Sequence, residues 1–332
     1  MVNAIWIVTL LILSGTSFRD AGIKPSDSAP ADTAKIQSLL NLGGEIVIDN
    51  GEYRIDQPLE IPKGINVKLR GETKLGAVLR CTHKGDMITN RGFAELSSLT
   101  LITDDNTGNC AFASDASNNG MVFRDLYVRG FKIGMLLNGA VGAEINACRF
   151  ARNNVGLILE NAGIPDAGNV RVSNCAFGGQ QSARAGILQR DGGGLYITNC
   201  SFLGHQFGVQ LRIRASTSVI RIQGCGFEAQ SVRNVDLEMR PDKPNESFHL
   251  VQIVGNELST ADKGAVRVFG IHGVLIQGNI LNVTANTTAF VFEKCTRVWC
   301  NANHLYCSTG GKADVMTASG CQQVSGANNA NW

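Results

Sequence analysis

Charge and proline are both scarce in this 332-residue chain: 17% of its residues are charged and only 7 are prolines, against roughly 25% charged in an average soluble protein. The net charge is +2. No basic run is interleaved with aromatics, so the sequence carries no electrostatic footprint for nucleic acid. The apolar run Ala4–Leu13 is too short to cross a bilayer as a helix. Helical periodicity is nearly missing as well. Only Asp32–Leu40 shows it, with Asp32 as N-cap and Ile36, Leu39 and Leu40 on one face. These absences leave an all-β body, and the 38 glycines supply its turns.

What is present is a short phrase that recurs: Cys148-Arg-Phe150, Cys175-Ala-Phe177, Cys200-Ser-Phe202, Cys225-Gly-Phe227, Asn256-Glu-Leu258, Asn279-Ile-Leu281 and Asn303-His-Leu305. Its first members are separated by 27, 25, 25, 31, 23 and 24 residues, the period of a solenoid whose repeats stack. Length alone allows two domains, but a solenoid needs only neighbour contacts, so one body suffices. Period-two runs precede the phrase, such as Leu195-Tyr-Ile197 and Ile220-Arg-Ile222, and others follow it, such as Gly156–Glu160 and Asn234–Glu238. Each repeat therefore holds two or three short strands and no helix. That is a parallel β-helix, with equivalent residues about 4.8 Å apart. Ser98 and Asp125 are read as earlier occupants of the Cys148 place.

Stacking gives the repeated residues their roles. Asparagines hydrogen-bond up the column, as in cross-β amide ladders, while the aromatic rings pile up inside. Cys148, Cys175, Cys200 and Cys225 read as buried small hydrophobes; a straight column cannot converge on one metal ion. Cys295 and Cys321 occupy one place in consecutive coils, 26 residues apart, within reach of a bridge where the compartment is oxidising. Small residues, Ser14–Ser17, follow the apolar run and precede Arg19. Residues 1–18 thus read as a secretory signal and 19–332 as the β-helix domain, the alternative being an N-terminal strand or anchor. Export implies a secreted, periplasmic or cell-surface protein, free of membrane once the signal is removed.

The opening order is specific: the helix, Gly43-Gly44, the strand Glu45–Asp49, Gly51-Glu-Tyr-Arg-Ile55, Leu59-Glu-Ile-Pro62 and Ile65–Gly71. It resembles the first coil of the pectate-lyase-like superfamily of right-handed parallel β-helices, over residues 32–72. The resemblance implies that the helix caps the open end, and an exported polysaccharide-active or tailspike-like protein. The polygalacturonase motifs find no full match in Asp104-Asp105, Ile271-His272-Gly273 or Arg212-Ile213-Arg214.

Counted from the glycine that opens each second strand, or its substitute, positions +2 and +4 point outward. The +4 column reads Asn138, Glu160, Arg190, Arg212, Glu238, Phe269, Glu293, and the +2 column Leu136, Ile158, Leu188, Gln210, Asp236, Arg267, Val291. Asp236 and Glu238 share a face about 6.6 Å apart, flanked by Arg212 and Arg267. That separation is near the window for inverting glycosidases and also suits a calcium ion, for which Asp236 and Glu238 would be ligands. By the resemblance to lyases, Arg212 would be the base. Long loops at 161–168 and 240–249 flank this face, so Glu160, Arg190, Gln210, Arg240 and Arg267 become candidate polysaccharide contacts. Tyr196, with Arg171, Arg221 and Glu144, forms a second outward column. Unlike charges in a ladder also explain the first column with no function. The expected protein is a hydrolase or lyase of polysaccharide, or else a non-catalytic carbohydrate-binding or surface-structural β-helix that could assemble as a homo-oligomer.

Overall fold

Each short strand turns only two or three side chains inward, so a coil closes its core only by stacking on the next. The structure, a computed structural model, describes residues 15–25, 31–104, 107–115, 119–161, 168–213, 217–239, 248–259, 263–283, 286–307, 314–327 and 329–331. The run Ala4–Leu13, most of the loop at 161–168, the loop residues 240–247 with Arg240, and Trp332 lie outside them.

Three parallel sheets wrap the core. The first has thirteen strands, from Thr16–Ser17 through Leu195–Thr198 to Gln322–Ala327. The second carries the repeated phrase, as in Arg149–Ala151 and Gly226–Glu228. The third carries the later run, as in Val155–Glu160, Arg233–Met239 and Val266–Phe269. Ala176–Gln189 and Ser201–Ile213 run unbroken through the corner between the second and third sheets and join them into one sheet of 21 strands. Every pairing is parallel, coil on coil. The chain is the all-β parallel β-helix expected, with one helix among the described residues, Thr33–Leu42.

That helix sits at the first end and buries Ile36 and Leu40. Gln37 donates to the Glu60 carbonyl at 2.7 Å and accepts from the Glu60 N–H at 2.8 Å, so one side chain satisfies an exposed sheet edge. Asp32 stands at the N-cap position but makes no side-chain cap. Its carboxylate takes the Lys24 N–H and pairs with Lys35 at 3.0 Å.

The corner between the first and second sheets corrects one sequence assignment. It is turned by a residue with φ between 50° and 64°: Ser98, Asp125, Ala147, Asn174, Asn199, Gly224, Gly255, Gly278 and Ala302. Ser98 and Asp125 therefore belong one place before the ladder. Leu99 and Leu126, both fully buried, hold the place of Cys148, since the pairings Thr100↔Tyr127 and Tyr127↔Arg149 follow directly.

Inside, Phe150, Phe177, Phe202 and Phe227 stack with centroids 4.8, 5.0 and 4.7 Å apart and planes within 8°. Beside them the four ladder cysteines are buried; the Cys148 thiol donates to the Asn146 carbonyl at 3.3 Å, and burial pushes its pKa well above the ordinary value. Because all four are 2% exposed or less, the native protein is expected to resist thiol reagents at these positions until it unfolds; rapid native-state labelling, read by mass, would place them at the surface. Cys295 and Cys321 do stack, with the Cys295 N–H reaching Cys321 Sγ at 3.3 Å, and these two are not bridged to each other.

From coil to coil the cysteines give way to asparagines. Asn279 Oδ1 accepts both the N–H and the side-chain amide of Asn256 at 2.9 Å, while its own amide donates to the Ile253 carbonyl at 3.0 Å and to Asn303 Oδ1 at 2.9 Å. Asn303 and Asn329 repeat the pattern. A thiol, with one weak donor, cannot make this set.

Candidate functional site

The outer face of the third sheet is shaped by a glycine column. Gly134, Gly156, Gly186 and Gly208 lie against the phenylalanine stack; a Cβ on Gly186 would come within 2.6 Å of the Phe202 ring and 2.8 Å of the Gly208 carbonyl. The pairing passes from Ile133↔Val155 to Met135↔Leu157 across these glycines. The residue before each glycine consequently joins position +2 on the outer face. Val155, Ile158, Ala185 and Leu188 form an apolar cluster of their own there, flanked by Ile133, Leu136 and Phe207. The expected open column at +2 is thus corrected: Ile158, Leu188, Gln210 and Asp236 are all 5% exposed or less.

Next to this cluster the face becomes ionic. The strand Arg233–Met239 pairs with Ser201–Ile213 on one side and Val266–Phe269 on the other, setting Gln210↔Asp236↔Arg267 and Arg212↔Glu238↔Phe269 in register. Asp236 is gripped from both coils. Arg212 reaches its Oδ2 at 2.6 Å and Arg267 its Oδ1 at 3.3 Å. Glu238 Oε2 faces the same two guanidinium groups at 3.4 and 3.5 Å. Arg267 continues to Glu293 at 2.8 Å and lies 5.5 Å over the Phe269 ring. Burial alone would lower the Arg267 pKa, but its hydrogen bond with Glu293 and the charge of Asp236 outweigh that and hold it above its ordinary value.

Of the nine residues singled out from sequence, Arg212, Asp236, Glu238 and Arg267 come together, with Gln210 in the same column one coil earlier. Gln210 is buried and accepts from Arg184 at 3.3 Å. Glu160 and Arg190 pair with each other at 2.8 Å, three and two coils away. Tyr196 stands on the first sheet between Arg171 and Arg221 in register, outside this group. Arg240 lies outside the described residues. Glu293 and Arg233 were not singled out. Glu293 closes the network, and Arg233, whose pKa burial lowers against the pull of Asp236, occupies the place before the glycine substitute, visible only once the kink is known.

The donor set does not suit calcium, which takes six to eight oxygen ligands. The oxygens of Asp236 and Glu238 face two guanidinium groups instead, and among the described residues no three His, Cys, Asp or Glu converge as a metal site. Nor is any helix among them long and apolar enough to cross a membrane.

By sequence, neither a protein-family model nor a characterised protein matches the chain. By structure, it is similar to the A-module of the mannuronan C-5 epimerase AlgE6 of Azotobacter vinelandii, with TM-score 0.64 and 14% identity over 95% of this chain and 99% of that one. PfbA, a surface adhesin of Streptococcus pneumoniae, gives 0.63 and 14% over 96% and 92%. The catalytic unit of a GH87 alpha-1,3-glucanase from Streptomyces thermodiastaticus gives 0.56 and 13% over 93% and 68%. At such identities the likeness establishes the fold alone: the chain is a right-handed parallel β-helix, an architecture shared by an epimerase, a glucanase and an adhesin.

Proposed function

We propose that this chain is an exported β-helix that binds polysaccharide without cleaving it. The observation that carries this reading is the occupation of both acids. Asp236 has a side chain only 5% exposed between two arginines, and Glu238 is 13% exposed beside the same pair. A general base must bring an oxygen within hydrogen-bond reach of the proton it takes, and the oxygens of both acids are turned instead to the guanidinium groups of Arg212 and Arg267. The apolar cluster of Val155, Ile158, Ala185 and Leu188 supports the face as a packed one. Polysaccharide as the partner is supported by the epimerase and glucanase among the structural neighbours, and a surface location by the adhesin.

We place the end of an export signal before Thr16 rather than after residue 18. Thr16–Ser17 pairs with Ile46 and Val47, and Phe18 is fully buried against Tyr53 with ring centroids 5.0 Å apart. Cleavage after residue 18 would remove that core ring.

The test is a polysaccharide panel read three ways: affinity electrophoresis for binding, reducing ends for hydrolysis, and absorbance of unsaturated products for elimination. Retention without products is expected, and Glu238→Gln should leave retention unchanged and alter stability by about 1 kcal/mol or less. Product formation that falls about 100-fold in Glu238→Gln would overturn this reading in favour of a hydrolase or lyase using Asp236, Glu238 and Arg212.

A further inference from the structure

Outward arginines on this solenoid usually take an acid from a neighbouring coil: Arg70 with Glu45, Arg171 with Glu144, Arg190 with Glu160. Where the second sheet turns into the third, the pattern stops. Arg80 is neutralised by Glu52 and Asp104. Two coils later come Arg129 and Lys132, and on the next coil Arg152. Among the described residues the side chains of these three make no ion pair and no hydrogen bond. Lys132 and Arg152 are exposed and Arg129 is half-buried.

Two clefts open on these cations. One, of about 300 Å³, is lined by Arg80, Ile102, Thr103, Asp104 and Arg129. The other, of about 280 Å³, is lined by Lys132 and Arg152 with Asn154, Gln180 and Ser182. The second cleft sets two cations among neutral polar walls, and the first adds Arg129 beside the Arg80–Asp104 pair; cations gathered in clefts raise the local concentration of anions. The amides and the hydroxyl add neutral donors and acceptors suited to sugar hydroxyls. Coils repeat about every 4.8 Å, close to the length of one pyranose residue, so an extended acidic glycan laid along the axis offers roughly one sugar per coil.

We infer that this corner binds an anionic polysaccharide, its carboxylate or sulfate groups meeting Arg129, Lys132 and Arg152. The inference rests on the binding function proposed above and adds the chemical class and the place. The site lies three to four coils from Asp236 and uses none of that network. Because the cations are largely solvated, each contact is modest and screened by salt; affinity comes from their number.

The experiment compares the full chain with the triple variant Arg129→Gln, Lys132→Gln, Arg152→Gln in affinity electrophoresis through polygalacturonate, heparin, neutral dextran and single-stranded DNA, with thermal melts to confirm the fold. The unaltered chain is expected to be retarded by an acidic glycan, more weakly as salt rises, and not by dextran. The triple variant should lose about tenfold or more in affinity, the scale of 1.4 kcal/mol shared among three contacts, while Arg171→Gln with Arg221→Gln on the first sheet should bind as before. Retardation by polygalacturonate alone assigns carboxylates, and by heparin alone sulfates. Equal retardation by DNA, or by dextran, overturns the assignment to acidic glycan. If the unaltered chain binds and the triple variant binds equally, the corner is wrong while the binding function stands; if the unaltered chain binds none of the glycans, both fall. If a glycan is cleaved yet the triple variant loses affinity, the corner stands and the non-catalytic reading falls.

Discussion

Phe202→Ala is expected to lower the stability of the folded chain by about 3–5 kcal/mol, the range for emptying a fully buried aromatic site. Phe202 is 1% exposed and stacks on two rings, Phe177 at 5.0 Å and Phe227 at 4.7 Å. Its ring also fills the space left by the absent Cβ of Gly186. A small side chain leaves a void between coils that a stack at strand spacing cannot close, since the backbone ladders hold the coils apart. The loss should spread to both neighbouring coils, because repeat stability in a solenoid includes nearest-neighbour terms. The denaturant midpoint measures it. An unchanged midpoint would mean that the ring is not interior.

Asp236→Ala is expected to cost about 3 kcal/mol, for an electrostatic rather than a packing reason. Removing one member of a buried ion pair leaves the others desolvated and uncompensated, at about 3–5 kcal/mol; the lower end applies because Arg212, at 36% exposed, can turn to water more readily than Arg267 at 19%. A second variant separates charge from volume. If the network is the cause, adding Arg267→Met to Asp236→Ala should recover part of the loss, since it removes the stranded cation. A loss well below 1 kcal/mol in the single variant would show that the pair is solvated, and the acid pair would regain its claim to chemistry.

Much of this molecule is legible in its residues. The recurring Cys-x-Phe and Asn-x-Leu phrases give the period, and the period gives the coils, because an interior ring such as Phe177 has only one place to stack. The clustering of Arg212, Asp236, Glu238 and Arg267 also follows from column counting, since register in a parallel stack carries each residue onto its equivalent. Three things were not legible, for physical reasons. The left-handed corner accepts Ser98, Asp125, Ala147 or Asn174 alike, so residue type does not mark it, and the early ladder was read one place off. Burial at +2 depends on the backbone kink at the glycine column, which alternation does not reveal; Asp236 therefore read as open when it is enclosed. The basic corner does not show in the sequence because Arg129, Lys132 and Arg152 sit in different phases of their coils, and only the fold places them on two clefts along one turn between sheets.

The asparagine ladder has a direction, and this bears on how the solenoid comes apart. Each Oδ1 holds the backbone N–H of the coil before it: Asn256 holds that of Cys225, Asn279 that of Asn256, and Asn303 that of Asn279. A coil's amide is thus guarded by its successor, never by itself. Opening of the coil that carries Asn329 unguards the N–H of Asn303, and each further opening uncovers the amide next in line, so an opening that starts there would carry exchange with solvent as a front toward Cys225. At Cys225 the relay of amides ends and the ring stack begins, and there the front meets a different kind of resistance, set by packing instead of by a chain of hydrogen bonds.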